Sequence, residues 1–143
     1  MKLSVARDYS ELTGMRYCKI SEHSGEDFYH SFLNEKFAEA FENDEVVELD
    51  IDGTKDGVGP SFLDESIGNL VYDFTLEVVA QKLKVITVDQ THWLEMIHEE
   101  TFPNWEERRN NGREALITEA HSPWYRLVNG RLERKEWIKI NCE

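Results

Sequence analysis

The middle of the chain alternates between segments that are typical of strands and segments that are typical of helices. EVVELDI (residues 45–51) and KVITV (residues 84–88) are short, apolar and rich in β-branched residues, as strands buried on both faces beneath helices are. Between them, apolar residues recur at the three- and four-residue spacing of one helix face: Phe62, Leu63, Ile67, Leu70, Val71 and Phe74. This order predicts parallel strands joined by a right-handed crossover, and therefore an α/β fold.

Further helices and strands are predicted on both sides of this unit. Helical apolar spacing covers three more segments: residues 24–43, 75–83 and 91–101. Ser24 is expected to cap the first of these helices, because its hydroxyl can accept a hydrogen bond from a free backbone N–H group. Pro103 is expected to end the last one and to leave residues 104–113 as a polar linker. Alternating residues predict short strands at residues 2–6 and 15–20.

The C-terminal part of the chain carries the hairpin signal Asn129–Gly130 between two strand-like runs. Both residues of such a turn need positive φ, which asparagine and glycine adopt readily. We therefore predict an antiparallel β-hairpin within residues 124–140. The expected organisation is an α/β domain over residues 1–111, and a C-terminal β-hairpin extension over residues 112–143 that packs on the same domain.

The length and composition suit a globular chain with one hydrophobic core. The chain has 143 residues, of which 40% are hydrophobic, and this length can bury a sizeable core. The expected core residues are Phe28, Phe37, Val47, Leu49, Phe62, Ile67 and Leu70. No apolar run has the length of a membrane helix or of a signal peptide, so a cytoplasmic location is expected. Cys18 and Cys142 have no CxxC spacing and are expected to be reduced thiols.

The formal net charge of −13 argues against nucleic acid and membrane partners. An acidic surface repels the phosphate groups that basic proteins bind by releasing counterions. Arginine and lysine are more frequent near the C-terminus than elsewhere. Such a basic tail can bind a partner or form a solvated edge, and the sequence leaves both readings open.

Three stretches of the chain resemble a known bacterial family. They are Ser24–Glu26 at the start of the first long helix, Glu48–Gly53 at the end of the central strand, and above all GPSFLDESIGNLV at residues 59–71. In this order they resemble the STAS-like domains of unknown function, over roughly residues 1–109. The resemblance implies a STAS-like mixed sheet with helices, to which the predicted hairpin is added.

The resemblance also implies a role for one serine. In the anti-sigma factor antagonists, which are STAS domains proper, a partner kinase phosphorylates a serine at the start of the helix that follows the central strand. Ser61 matches this place, although Pro60 stands where antagonists commonly have an aspartate. The resemblance therefore implies a protein partner, with a histidine-kinase-like ATPase as one candidate, and makes Ser61 a candidate for phosphorylation.

Two roles are open for Ser61 on physical grounds. It can cap the helix, with Asp64 three residues further on as in a capping box. It can also accept a phosphate, which would meet the free N–H groups and the dipole of the helix N-terminus. Asp56, Asp64 and Glu65 would repel that phosphate, and a kinase could equally recognise them. The candidate partner-binding residues are Asp56, Ser61, Asp64 and Glu65.

The acidic end of the central strand supports a different hypothesis. Glu48, Asp50 and Asp52 alternate along the strand and so share one face. A metal-dependent hydrolase could use Asp50, Asp52 and Asp56 to hold Mg²⁺; alternatively, Asp50 and Asp52 cap the strand and its turn. The histidines lack metal-ligand spacing, and the glycines after this strand lack the lysine of a phosphate-binding loop. No catalytic residue, metal site or cofactor is therefore predicted.

The leading hypothesis is a non-enzymatic regulatory or protein-interaction module. It would act as a partner-switching protein and dock through the loop and helix at residues 53–74. The alternatives are the metal-dependent hydrolase at Asp50, Asp52 and Asp56, and a self-assembling structural protein whose hairpins pair between chains. A homodimer is compatible with each of these hypotheses.

Overall fold

A computed structural model describes residues 1–140 of the chain as an α/β fold with a separate C-terminal hairpin. Three parallel strands form a sheet in the order β1-β2-β3: β1 (Lys2–Ser4), β2 (Val47–Asp50) and β3 (Leu83–Ile86). The helices are α1 (Gly25–Phe28), α2 (Asn34–Glu42), α3 (Pro60–Phe74), α4 (Leu76–Lys82), α5 (His92–Met96) and α6 (Phe102–Asn110). Strands β4 (Trp124–Val128) and β5 (Arg131–Lys135) pair antiparallel. Short π-helical segments occupy Val5–Tyr9, Tyr29–Leu33 and Ile97–Thr101.

The sheet has one apolar face and one polar face. Val47 and Leu49 of β2 are fully buried, whereas Glu48 and Asp50 between them are half-buried on the other face. On that face, Glu48 lies in register between a lysine of β1 and a lysine of β3. The expectation that the central strand is buried on both faces is therefore wrong. Strand β3 is also less buried than expected, since Ile86 is exposed.

The hydrophobic core lies on the apolar face of the sheet, against α1, α2 and α3. All the core residues expected from the sequence are fully buried. The helix predicted at residues 24–43 is confirmed, with Ser24 as its N-cap: the Asp27 N–H donates to the Ser24 hydroxyl at 3.1 Å. Within the described residues, no helix combines the length and the apolar composition needed to cross a membrane.

Residues 15–20 do not form the predicted strand. This segment follows the start of α1 instead: the Gly25 N–H donates to the Met15 carbonyl and the Glu26 N–H to the Arg16 carbonyl, both at 2.9 Å. The first helical N–H groups have no partner within their own helix. Because the segment supplies acceptors to these groups, it stays a loop without a neighbouring strand.

Pro103 does not end the helix that contains it. The π-helical segment Ile97–Thr101 leads directly into α6, and Pro103 lies in the first turn of α6. A proline is accommodated there, because the backbone hydrogen bonding changes from the π-helical to the α-helical pattern at this junction. The polar linker predicted at residues 104–113 is therefore mostly helix, and Trp105 within it is buried.

The C-terminal hairpin is confirmed, with its turn at Asn129 (φ 52°) and Gly130 (φ 78°). Two hydrogen bonds connect the hairpin to α2. The Asn34 side-chain amide donates to the Tyr125 carbonyl, and the Tyr125 N–H donates to the Asn34 side-chain oxygen, each at 2.9 Å. The proposed division into residues 1–111 and 112–143 stays a prediction, and its last three residues, with Cys142, lie outside the described part of the chain.

Candidate functional site

Ser61 lies in the first turn of α3 but does not cap the helix. Gly59, with extended φ −89° and ψ 162°, is the N-cap, and Pro60 is the first helical residue. Proline is favoured at that position because its fixed φ suits a helix. The capping role predicted for Ser61 is therefore wrong. Within residues 1–140 the half-buried Ser61 side chain has no hydrogen-bond partner.

The four predicted partner-binding residues do not share one environment. Asp56 is exposed on the loop before α3, with φ 62°, and Asp64 is half-buried near Ser61. Glu65 is only 2% exposed, because its position on α3 faces inwards against Gly25 of α1. Glu65 therefore cannot contact a partner, and the accessible residues of the predicted set are Asp56, Ser61 and Asp64.

Arg16 pairs with both acidic residues of this turn. Its Nη1 atom lies 2.7 Å from an Asp64 oxygen and 3.2 Å from a Glu65 oxygen. Burial raises the pKa of the Glu65 carboxyl to about 7, although Arg16 and a hydrogen bond from Asn69 act in the opposite direction. The native state thus favours protonated Glu65 over the pH range between its ordinary pKa and this raised value.

We expect Glu65→Gln to make the stability of the protein less dependent on pH. The pKa of Glu65 is higher in the folded state than its unfolded value of 4.5. Its protonated form therefore stabilises the native state fully below pH 4.5, and this stabilisation is lost as the pH rises through about 7. Unfolding free energies from urea titrations should therefore favour the glutamine variant over wild type by roughly 2 kcal/mol more at pH 8 than at pH 5. Glu107→Gln, at an exposed position of α6, is the matched control. A difference between Glu65→Gln and wild type that stays constant with pH would contradict the prediction.

Asp52 joins the loops that follow β2 and β3. Its carboxylate accepts hydrogen bonds from the Thr87 hydroxyl at 2.7 Å, from the Val88 N–H at 2.6 Å and from the Gln90 side-chain amide at 3.2 Å. Burial acts to raise the pKa of Asp52, but these hydrogen bonds outweigh it and hold the pKa below its ordinary value. The carboxylate thus caps the backbone of these loops. This is the capping role that the sequence offers as the alternative to a metal site.

The acidic strand end does not assemble into a metal site. Asp50 accepts a hydrogen bond from the Asp52 N–H at 2.9 Å, and Asp56 lies exposed on the loop after β2. Among residues 1–140, the one group of three or more closely spaced metal-ligating side chains is Cys18, Glu26 and His121. The structure therefore does not bring Asp50, Asp52 and Asp56 together as the hydrolase hypothesis requires.

A Cys–His nucleophile is disfavoured by the environment of Cys18. The thiol lies near His121, so the fold does bring a cysteine and a histidine together. Burial raises the pKa of the Cys18 thiol to about 12, and the nearby Glu26 carboxylate adds to the effect. The thiolate, which is the reactive form, is therefore scarce at neutral pH.

Sequence reasoning missed the segment beside the loop at residues 53–59. The Lys55 N–H donates to the Glu11 carbonyl at 2.7 Å, and the Thr13 hydroxyl donates to the Gly57 carbonyl at 3.5 Å. This segment carries three exposed apolar side chains: Leu12 (57%), Met15 (58%) and Ile20 (62%). Met15 and Ile20 lie in the strand predicted at residues 15–20, which would have suggested that they pack on the sheet. Because residues 15–20 form a loop instead, these two side chains lie at the surface.

The described residues define a two-layer α/β domain in which helices cover one face of a parallel sheet. Residues 24–93 match the family model for the STAS-like domain of unknown function (DUF4325). This match confirms the resemblance to STAS-like domains seen in the sequence motifs. The match includes β2, α3 and Ser61, whereas β1 and the hairpin lie outside it. Neither the curated proteins nor the solved structures include a match to this chain.

Proposed function

We propose that this protein is a non-enzymatic regulatory module that docks on a protein partner. The docking surface consists of residues 11–20, the loop at residues 53–59 and the first turn of α3. The observation that carries the proposal is that one short segment, which contacts that loop, carries three exposed large apolar side chains: Leu12, Met15 and Ile20. Exposed apolar surface is a common feature of interaction sites. STAS-like domains also often mediate protein interactions, which supports the same assignment.

Because most of α3 is buried, the accessible docking surface is smaller than the one predicted at residues 53–74. Phe62, Leu63 and nearly all later residues of α3 are buried, so only its first turn is accessible. The loop adds the exposed carboxylate of Asp56, and the chain as a whole carries a net charge of −13. A partner surface with an apolar centre and basic groups at its rim would complement this arrangement.

Docking can be tested by introducing charged side chains at the apolar positions of the docking surface. The double substitution Leu12→Asp and Met15→Asp should remove the partner, because two carboxylates would replace the apolar contacts. Val46→Asp is the matched control: Val46 is 44% exposed and precedes β2 at the opposite end of the sheet. Tagged variants would be isolated from the cells of origin and their bound proteins quantified by mass spectrometry. We expect wild type and Val46→Asp to retain one shared partner that the double variant loses; an unchanged set of partners in the double variant would refute the proposal.

Ser61 is the proposed switch of this surface. A phosphate on it adds a charge of about −1.5 to −2 beside Asp64, which weakens docking to an apolar or acidic partner surface and strengthens docking to arginines. A histidine-kinase-like ATPase is the candidate partner and kinase, by analogy with the anti-sigma factor antagonists.

We expect Ser61→Ala to keep the stability of the protein within about 0.5 kcal/mol, because the serine is not the helix cap. Ser61→Asp should change the affinity for the captured partner at least about tenfold, which corresponds to 1.4 kcal/mol. Chemical denaturation and titration calorimetry measure the two quantities separately. Equal partner affinities for wild type, Ser61→Ala and Ser61→Asp would exclude the switch while leaving the docking surface intact.

A further inference from the structure

Three distant parts of the chain bring metal-ligating atoms together beside α1. Cys18 precedes α1, Glu26 lies in its first turn and His121 precedes β4. One ligand atom from each side chain lies within 4.8 Å of the other two. Glu26 is fully buried. Cys18 belongs to the segment at residues 11–20, whereas Glu26 and His121 lie outside the docking surface and outside the acidic strand end.

Each of the ligand atoms except the imidazole nitrogen is held by additional hydrogen bonds. One Glu26 oxygen accepts from the Cys18 N–H at 3.0 Å and from the Thr118 hydroxyl at 2.6 Å, and the other accepts from the Thr118 N–H at 3.0 Å. The Ser24 hydroxyl donates to the Cys18 sulfur at 3.3 Å. Such outer contacts orient the ligands of natural metal sites, and they can persist when a metal binds.

The remaining contact is the one that a metal ion would replace. The His121 Nε2 atom lies 2.7 Å from a Glu26 oxygen. The His30 ring stacks on the His121 ring with centroids 4.3 Å apart, and both His30 ring nitrogens are buried without a partner among residues 1–140. His30 is not one of the metal-ligating side chains that lie close together; its ring packs on the face of the His121 imidazole.

We propose that Cys18, Glu26 and His121 bind a zinc ion. A thiolate, an imidazole and a carboxylate together favour zinc, whereas magnesium and calcium prefer oxygen ligands alone. On binding, the thiol proton passes to the solvent, the sulfur and the imidazole nitrogen each donate an electron pair to the metal, and no redox change occurs. Three protein ligands leave a fourth zinc position for a water molecule.

The test is a calorimetric titration of the metal-free full chain with zinc chloride at neutral pH. We expect one zinc ion per chain, with affinity at least about tenfold weaker in Cys18→Ser and in His121→Asn. His98→Asn, which removes an exposed imidazole of the π-helical segment Ile97–Thr101, should bind zinc as wild type does. Circular dichroism would check that the variants are folded.

Cobalt(II) provides a test that needs no substitution. When cobalt replaces zinc, a thiolate ligand gives a sulfur-to-metal charge-transfer band, so the unmodified chain should show this band once cobalt is bound. Failure to bind zinc, wild-type zinc affinity in Cys18→Ser, or cobalt binding without the charge-transfer band would each overturn the proposal.

Discussion

Replacing Gly68 with alanine is expected to lower the free energy of unfolding by about 2 kcal/mol or more. A Cβ atom at this position of α3 would lie 2.2 Å from two ring atoms of Trp105. Trp105 is a buried residue of α6, which packs against α3, so its indole cannot move without disturbing that contact. The higher helix propensity of alanine offsets only about 1 kcal/mol of this loss in the free energy of unfolding. Urea denaturation of the two proteins measures the difference.

A double-mutant cycle identifies the clash as the cause. In a Trp105→Phe background the smaller ring leaves space, so the cost of Gly68→Ala should shrink or change sign. If Gly68→Ala were as stable as wild type, or if its cost were the same in both backgrounds, the packing of α3 against α6 would differ from the one described.

Arg126→Met is expected to destabilise the protein by about 3–5 kcal/mol, as the loss of one partner from a buried ion pair does. The Arg126 guanidinium donates to Asp73 at 2.7 Å and to both oxygens of Glu114 at 2.8 and 2.9 Å. Asp73 is buried at the end of α3, and burial raises its pKa to about 6 even with the arginine beside it. Without Arg126, this carboxyl would have to remain buried without its cation or take up a proton. Thermal and urea denaturation at neutral pH measure the loss.

Arg134→Met is the matched control on the same hairpin. The Arg134 side chain is 44% exposed, and its carboxylate neighbour, Glu35, lies 3.9 Å away. Exposed pairs of this kind contribute little, so the control should lose at most about 1 kcal/mol. Adding Asp73→Asn to Arg126→Met should recover part of the loss, because it removes the buried charge. Equal losses for Arg126→Met and Arg134→Met would contradict the central role of the buried pair.

Local sequence patterns predicted those parts of the fold that local physics determines. The strand–helix alternation from residue 45 to residue 88 and the turn at Asn129–Gly130 follow from spacing and from backbone conformation. The prediction at Pro103 fails because a proline has the same appearance in a sequence whether it ends a helix or occupies the first turn of one. The loop at residues 15–20 alternates like a strand, and only its contacts with α1 decide otherwise.

The candidate sites depended on contacts that the sequence does not encode locally. Asp64 and Glu65 are adjacent in sequence, yet one lies at the surface and the other inside, because successive helix positions differ by about 100° in direction. Glu26 has the position of a residue favoured by the helix dipole, and nothing near it indicates that Thr118 and His121 surround it. Identifying this cluster requires the tertiary fold itself.

The hydrogen bonds between Thr118 and Glu26 also affect the order in which parts of the chain can fold. Glu26 and Thr118 are 92 positions apart. At a synthesis rate of about 5–20 residues per second, the start of α1 leaves the ribosome roughly 5–20 s before its partners do. During that interval the carboxylate of Glu26 has neither Thr118 nor His121 beside it, so the first helix cannot complete its native contacts. Its final packing therefore waits until Thr118 has been synthesised and released from the ribosome.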